Sequence, residues 1–203
     1  MKLYDGGKAP NPRRVRIFLA EKGLSVPLVP IDMSALEHRD TQIAGLNPLR
    51  RLPVLELDNG TAISESVAIC RYFEELHPDP PLMGEGPVGK AQVEMWQRRM
   101  EMHLLLFVAN VFRHAHPAMK DWEVPQITQF SEANRPKVME SLVWLDSELQ
   151  ERDFIAGDVF TIADITAMIA IDFMKPARLA VPDECSAVLE WYARVKARPS
   201  ADA

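Results

Sequence analysis

Apolar and polar positions along the first eighty residues change period several times. Lys2-Leu3-Tyr4 reads as a short strand, residues 11–22 as a helix, Pro27–Ile31 as a second strand and about 37–44 as a short helix. Val54-Leu55-Glu56-Leu57 and Thr61-Ala62-Ile63 flank Asp58-Asn59-Gly60, the signature of a hairpin whose two central residues take positive φ. Val67, Cys70, Phe73 and Leu76 then recur one helical turn apart.

Residues 78–87 hold four prolines and two glycines, which exclude regular structure and mark a linker. This spacing predicts a first domain over 1–77 and a second over 88–203 that is helical throughout. One long helix covers about 88–115. Trp96, Met100, His103, Phe107 and Val111 lie on one stripe, and Met95, Met102, Leu106 and Ala109 on another, so both sides are expected to be buried. A helix interrupted or begun near Pro136 carries Val138, Leu142, Leu145 and Leu149, and two more follow at about 161–174 and 183–197. The expected architecture is therefore an α/β domain followed by an all-α domain.

The chain has 203 residues, 47% hydrophobic and 26% charged, enough to bury a real core without disulfides. Its net charge of -6 lacks the broad basic surface that nucleic-acid binding needs. Arginines cluster at Arg13, Arg14 and Arg16 and at Arg50 and Arg51; a small anionic ligand and a solvated face both fit that pattern. Cys70 and Cys185 are far apart and form no Cys-x-x-Cys pair, which fits a reducing cytoplasm. No run of about 18 apolar residues and no leader-like segment is present, so neither membrane insertion nor export by a standard signal is expected.

Four segments carry candidate chemistry. In Ala9-Pro10-Asn11-Pro12-Arg13, Asn11 reads as an N-cap and Pro12 as the first helical residue, with Gly23 ending the helix. Arg51-Leu52-Pro53-Val54 sets a proline just before a strand. Ile63-Ser64-Glu65-Ser66-Val67 starts a helix with hydroxyls and one carboxylate, where a plain cap also fits. Thr161 and Asp164 form a capping box, with Phe160 placed to staple onto Ile165. His114 and His116 do not share a helix face and the other histidines are scattered, so no metal site is expected.

Taken in order, Val15–Gly23, Asn47-Pro48 through Leu52-Pro53-Val54-Leu55, Ile63-Ser64-Glu65-Ser66-Val67-Ala68-Ile69 and Phe154-Ile155-Ala156-Gly157-Asp158 into Phe160–Asp164 resemble the glutathione transferase family over essentially the whole chain. The resemblance implies a thioredoxin-like first domain with a cis bond before Pro53. It implies that the Val54 backbone pairs with the cysteinyl unit of glutathione, that Glu65 faces the γ-glutamyl ammonium, and that Ser66 faces its carboxylate at a helix N-terminus. Arg51 is assigned to a carboxylate of the same ligand. It further implies glutathione as co-substrate, a homodimer, and a second-substrate pocket between the domains drawn from Phe107, Asn110, Val111 and His114.

The departure lies at the thiol. Many members carry Ser or Cys six residues before the position of Val15, where this chain has Ala9; some bacterial and fungal-type members carry Asn two residues later, where this chain has Asn11. A thiol of pKa about 8.5 is only about 3% ionised at pH 7, and lowering it two units takes roughly 2.7 kcal/mol. A helix dipole supplies about 0.3–1 kcal/mol, whereas a hydrogen bond to the charged sulfur supplies about 1.5–3 kcal/mol. Asn11 can donate that bond, with Tyr4 as the fallback donor. The expected activity is addition of glutathione to an electrophile or exchange with a disulfide. The alternative, supported by Ala9, is a binding or scaffold protein that kept the fold without the chemistry.

Overall fold

The computed structural model describes residues Met1–Ala203 and divides into two compact units, Met1–Leu82 with Pro199–Ala203, and Met83–Arg198. The last five residues thus belong with the first unit. Arg13 donates to the Ala201 carbonyl at 2.8 Å, and Ser200 donates to Glu21.

The first unit is built on a four-stranded sheet in the order β2-β1-β3-β4, from β1 (Lys2–Asp5), β2 (Leu28–Pro30), β3 (Val54–Glu56) and β4 (Ala62–Ser64). β1 runs parallel to β2 and antiparallel to β3, which is antiparallel to β4. Because side chains alternate across a strand, Leu3 and its partner Leu55 face one way and Tyr4 and its partner Val54 the other. The Tyr4 face forms a core with Ile43 and Leu52, backed by Val29, Ile31 and Met33. α1 (Pro10–Glu21) and α3 (Ser66–Leu76) pack against each other, and a 3₁₀ turn (Glu37–Arg39) and α2 (Thr41–Leu46) occupy the stretch expected to be one short helix.

Two local expectations are corrected. The hairpin turn is closed by the Gly60 N–H on the Leu57 carbonyl (2.9 Å) and the Leu57 N–H on the Thr61 carbonyl (2.8 Å), and Gly60 alone has positive φ, +84°. This is a three-residue loop in which glycine takes the left-handed position after a type I-like turn, not the two-residue turn with both residues inverted. Asn59 contributes through its side chain, which accepts the Thr61 N–H at 3.0 Å. In α3 the buried face is Ser66, Ile69, Cys70 and Phe73, and Leu76, at 51% exposure, leaves the stripe.

In the second unit α4 (Gly86–Met100), a π turn (Glu101–Leu105) and α5 (Leu106–Ala115) follow one another as continuous helix. Gly86 and Pro87, assigned to the linker, form the first turn of α4, where a missing proline N–H costs nothing. The π turn, closed by the Leu106 N–H on the Glu101 carbonyl, adds a residue and rotates everything beyond it. The two-stripe expectation holds in part: Trp96 and Met100 of one stripe and Ala109 and Val111, one from each, are buried. Within the turn Leu104 and Leu105 are buried and Met102 and His103 exposed, beyond it Val108 is buried and Leu106 exposed, and before it Met95 is exposed.

α6 (Thr128–Leu149) runs through Pro136 instead of starting there, and buries Val138, Leu142, Leu145 and Leu149 as expected. α7 (Ile162–Met174) is buried along almost its whole length, and α8 (Ser186–Lys196) sends Trp191 to it. No helix is long and apolar enough to cross a membrane.

Candidate functional site at two helix N-termini

β4 ends at Ser64, and the chain turns at once into α3 through Glu65, whose φ of +69° is unusual for a residue with a side chain. Glu65 is exposed, and its carbonyl accepts the Ile69 N–H at 3.0 Å, so its backbone caps α3 while its carboxylate stays outside the helix ladder. Ser66 follows as the first helical residue and is buried. Its hydroxyl accepts from Arg14 Nη1 at 2.7 Å. A hydroxyl that accepts there keeps its own O–H for donation, beside the amides and positive dipole end of α3.

Arg14 is fully buried, which distinguishes it from the solvated arginine face that the sequence allows. The three clustered arginines of α1 have separate tasks: Arg13 binds the C-terminal segment, Arg14 binds Ser66 and Arg16 pairs with Asp5. Arg14 also lowers the tendency of Cys70 to hold its proton, but burial dominates and pushes that thiol up to about 12. Cys70 is therefore a neutral core group and not a nucleophile. Burial likewise raises Cys185.

Asn11 lies one turn before Arg14 on α1 and is exposed. It is not the N-cap: the helix begins at Pro10, Ala9 holds the cap position with extended backbone, and no side chain caps the helix. The loop before it is fixed from β1, since Asp5 accepts the Gly7 N–H at 2.9 Å and pairs with Arg16. The helix ends as expected, with Gly23 at φ +66°, its N–H on the Ala20 carbonyl and the Leu24 N–H on the Leu19 carbonyl. Tyr4 is removed as a sulfur donor. It is buried, its hydroxyl donates to Glu56 at 2.7 Å, and that bond is the main cause of the lowered Glu56 carboxyl.

The Leu52-Pro53 bond is cis. Val54 stands on an interior strand, opposite Tyr4 on one side and Ser64 on the other, so it offers no open edge to an extended ligand. Leu52 precedes the strand and lies outside the ladder. Asn47, buried, organises this segment. It donates to the Arg51 carbonyl at 2.9 Å and accepts the Leu49 N–H at 3.1 Å, and its carbonyl accepts the Arg50 N–H. Arg51 is exposed in this segment. The register of Val54 with Ser64 carries the Pro53 segment to the strand that feeds Glu65 and Ser66.

The four residues assigned to a second-substrate pocket are mostly engaged in packing α5 on α6. Asn110 donates to Asn134 at 3.4 Å, and the Val111 carbonyl accepts from Ser131 at 3.0 Å. His114 Nδ1 accepts the Ile127 N–H at 3.1 Å, with the ring edge-on to Phe130. Phe107 lies under Lys137 Nζ, 5.5 Å from its ring centroid. Sequence periodicity ranks such positions by face and is blind to which neighbour the face meets.

The capping box at α7 is present. Thr161 Oγ1 accepts the Ala163 N–H at 3.3 Å, and the Asp164 carboxylate accepts the Thr161 N–H at 2.9 Å. Asp164 also takes the Ile155 N–H and Trp191 Nε1, each at 2.9 Å, and so ties the loop before α7 and helix α8 to one carboxylate. Burial nevertheless pushes its carboxyl up to about 6, against the lowering by those donors.

Two family models match: the glutathione S-transferase N-terminal domain over residues 9–76 and the glutathione S-transferase C-terminal domain over residues 99–199. Glutathione S-transferase 2 of Saccharomyces cerevisiae is 38% identical over 98% of this chain and 87% of its own length. A crystal structure of a glutathione S-transferase domain-containing protein from Marinobacter aquaeolei superposes with a TM-score of 0.95 at 39% identity, covering 98% of this chain and 99% of that one. The stringent starvation protein A homolog of Coxiella burnetii is 29% identical over 81% of this chain and 71% of its own length. With both domain models matched and relatives similar from end to end, the chain belongs to the glutathione S-transferase family.

Proposed function

We propose that the chain binds glutathione at the N-terminus of α3, ionises its thiol, and adds it to an electrophile or exchanges it with a disulfide. The observation that carries this reading is Ser66: a buried hydroxyl at the first position of a helix, accepting from Arg14 at 2.7 Å and keeping a proton to give. That proton, the first-turn amides and the dipole all favour the γ-glutamyl carboxylate. Glu65, exposed beside it, takes the ammonium. The peptide-like pairing with the cysteinyl unit passes from Val54, which the sheet encloses, to Leu52, which stands before Pro53 and outside the ladder. Arg51 is exposed near that segment and serves the glycyl carboxylate. Asn11, exposed in the first turn of α1, donates to the thiolate. The protein is further proposed to be a cytoplasmic homodimer, free of metal in its chemistry.

The test is calorimetric titration with glutathione. Each charge-assisted hydrogen bond lost is worth about 1.5–3 kcal/mol, so Ser66→Ala is expected to weaken binding at least about tenfold and Glu65→Ala with Ser66→Ala to abolish it. Unchanged affinity in the double variant, with circular dichroism showing a folded protein, overturns the site. A second reading, a scaffold that binds without catalysis, is favoured by Ala9, which has no donor at the position where many members carry Ser or Cys. Binding of glutathione with an unshifted thiol, and turnover of neither a reactive haloarene nor a small disulfide, would decide for it.

A further inference from the structure

A cleft of about 300 Å³, counted with its mouth, opens in the helical unit where the end of α5 meets Arg135 of α6 and the turn after α7. Of the residues assigned to a second-substrate pocket, only Val111 reaches it. Its lining combines an aromatic wall with Arg135 and Arg178 and contains no acidic residue. On the wall, Phe112 stacks on His116 with centroids 4.6 Å apart and leans on Phe173 at 4.9 Å. On the polar side, Arg135 Nη1 donates to the Arg178 carbonyl at 3.5 Å while Glu132 occupies its Nε at 3.1 Å, so the Arg135 fork is held beside Arg178.

Arg178 is the more telling residue. The Leu179 N–H meets the Met174 carbonyl at 2.9 Å and the Arg178 N–H meets the Lys175 carbonyl at 3.0 Å, the paired bonds that end a helix through one left-handed residue. That residue is usually glycine, and here it is Arg178 at φ +56°. The chain thus accepts backbone strain that glycine would relieve, and places an arginine in the lining of the cleft.

We propose that this cleft is a binding site for a small aromatic carboxylate, its single ring against Phe112 and its anion on Arg135 and Arg178. Two arginines and an aromatic wall lining one cleft select for charge and ring together.

The experiment is calorimetry on the whole protein with benzoate, with benzyl alcohol and acetate as the arms lacking the charge and the ring. Benzoate is expected to bind once per chain with a Kd below about 10 mM, and both controls at least about tenfold more weakly. Arg178→Gly is the discriminating variant. It suits the helix end, so its melting temperature should be equal to or above that of the parent, while benzoate affinity falls about tenfold or more. Glutathione binding, assigned to the other unit, should not change. No saturable benzoate heat, equal binding of benzyl alcohol, or an unaltered Kd in Arg178→Gly overturns the proposal.

Discussion

Arg14 and Asn11 mark the limits of what single residues disclose. In the sequence Arg14 is one of three arginines in four positions, and nothing local says that it alone is fully buried. Its buried partner, Ser66, lies 52 residues away, and only the fold supplies it. Asn11 shows the opposite error: the Asn-Pro pair reads as a cap, but the helix starts two residues earlier, at Pro10, and Ala9 holds the cap. The difference has a measurable consequence. An N-cap asparagine would cost about 1 kcal/mol of stability on truncation, whereas an exposed first-turn residue costs little. Asn11→Ala is therefore expected to leave the melting temperature nearly unchanged. If Asn11 donates to the glutathione sulfur, the thiolate absorbance of the bound ligand should titrate about one to two units higher in the variant, the equivalent of a hydrogen bond of ~1.5–3 kcal/mol. A stable variant with an unshifted midpoint would remove Asn11 from the chemistry.

Elements announced by local chemistry were legible. The capping box of α7 needs only Thr161 and Asp164 three residues apart, and the Schellman end of α1 needs only Gly23. Elements that depend on hydrogen-bond slippage were not: the π turn at Glu101–Leu105 leaves no trace in a 3.6-residue pattern, and inside it Met102 and His103 turn outward. Asp164 gives a pH test at this scale. Its folded carboxyl is raised from 3.8 to about 6, so the folded state holds its proton more tightly than the unfolded chain does. The stability from this group is therefore full below about pH 4 and is lost as pH rises through about 6, a change of up to about 3 kcal/mol. Asp164→Asn removes the titration and also turns an amide donor toward one of the donors that the carboxylate accepts, at about 1–3 kcal/mol. Chemical denaturation across pH 4–6.5 should show the stability gap between parent and variant narrowing as pH rises. A gap that widens would mean that the three N–H donors and the Thr161 hydroxyl, which donates to the carboxylate at 3.2 Å, outweigh burial and hold the carboxyl low.

At the scale of the whole molecule, alternation of strand and helix followed by helices alone was enough to place the fold, because the period of burial changes from two to 3.6 along the chain and this is written in the residues. Apolar residues without a core partner are a different matter, since a pattern of hydrophobic positions does not say whether the partner lies in the same chain. Met95, Met102 and Leu106 are such residues, 40%, 51% and 43% exposed along α4, the π turn and α5. Covering them with a second copy removes apolar area from water at about 25 cal/mol per Å², and closed two-fold pairs are the commonest oligomers. The proposed homodimer therefore predicts about twice the 22.9 kDa chain mass by size-exclusion with light scattering. Met102→Glu with Leu106→Arg puts charges on an exposed face, so the fold should survive while the mass falls to that of one chain. Should the parent already run as a monomer at micromolar concentration, or the double variant stay dimeric, this helix face is not where two copies meet.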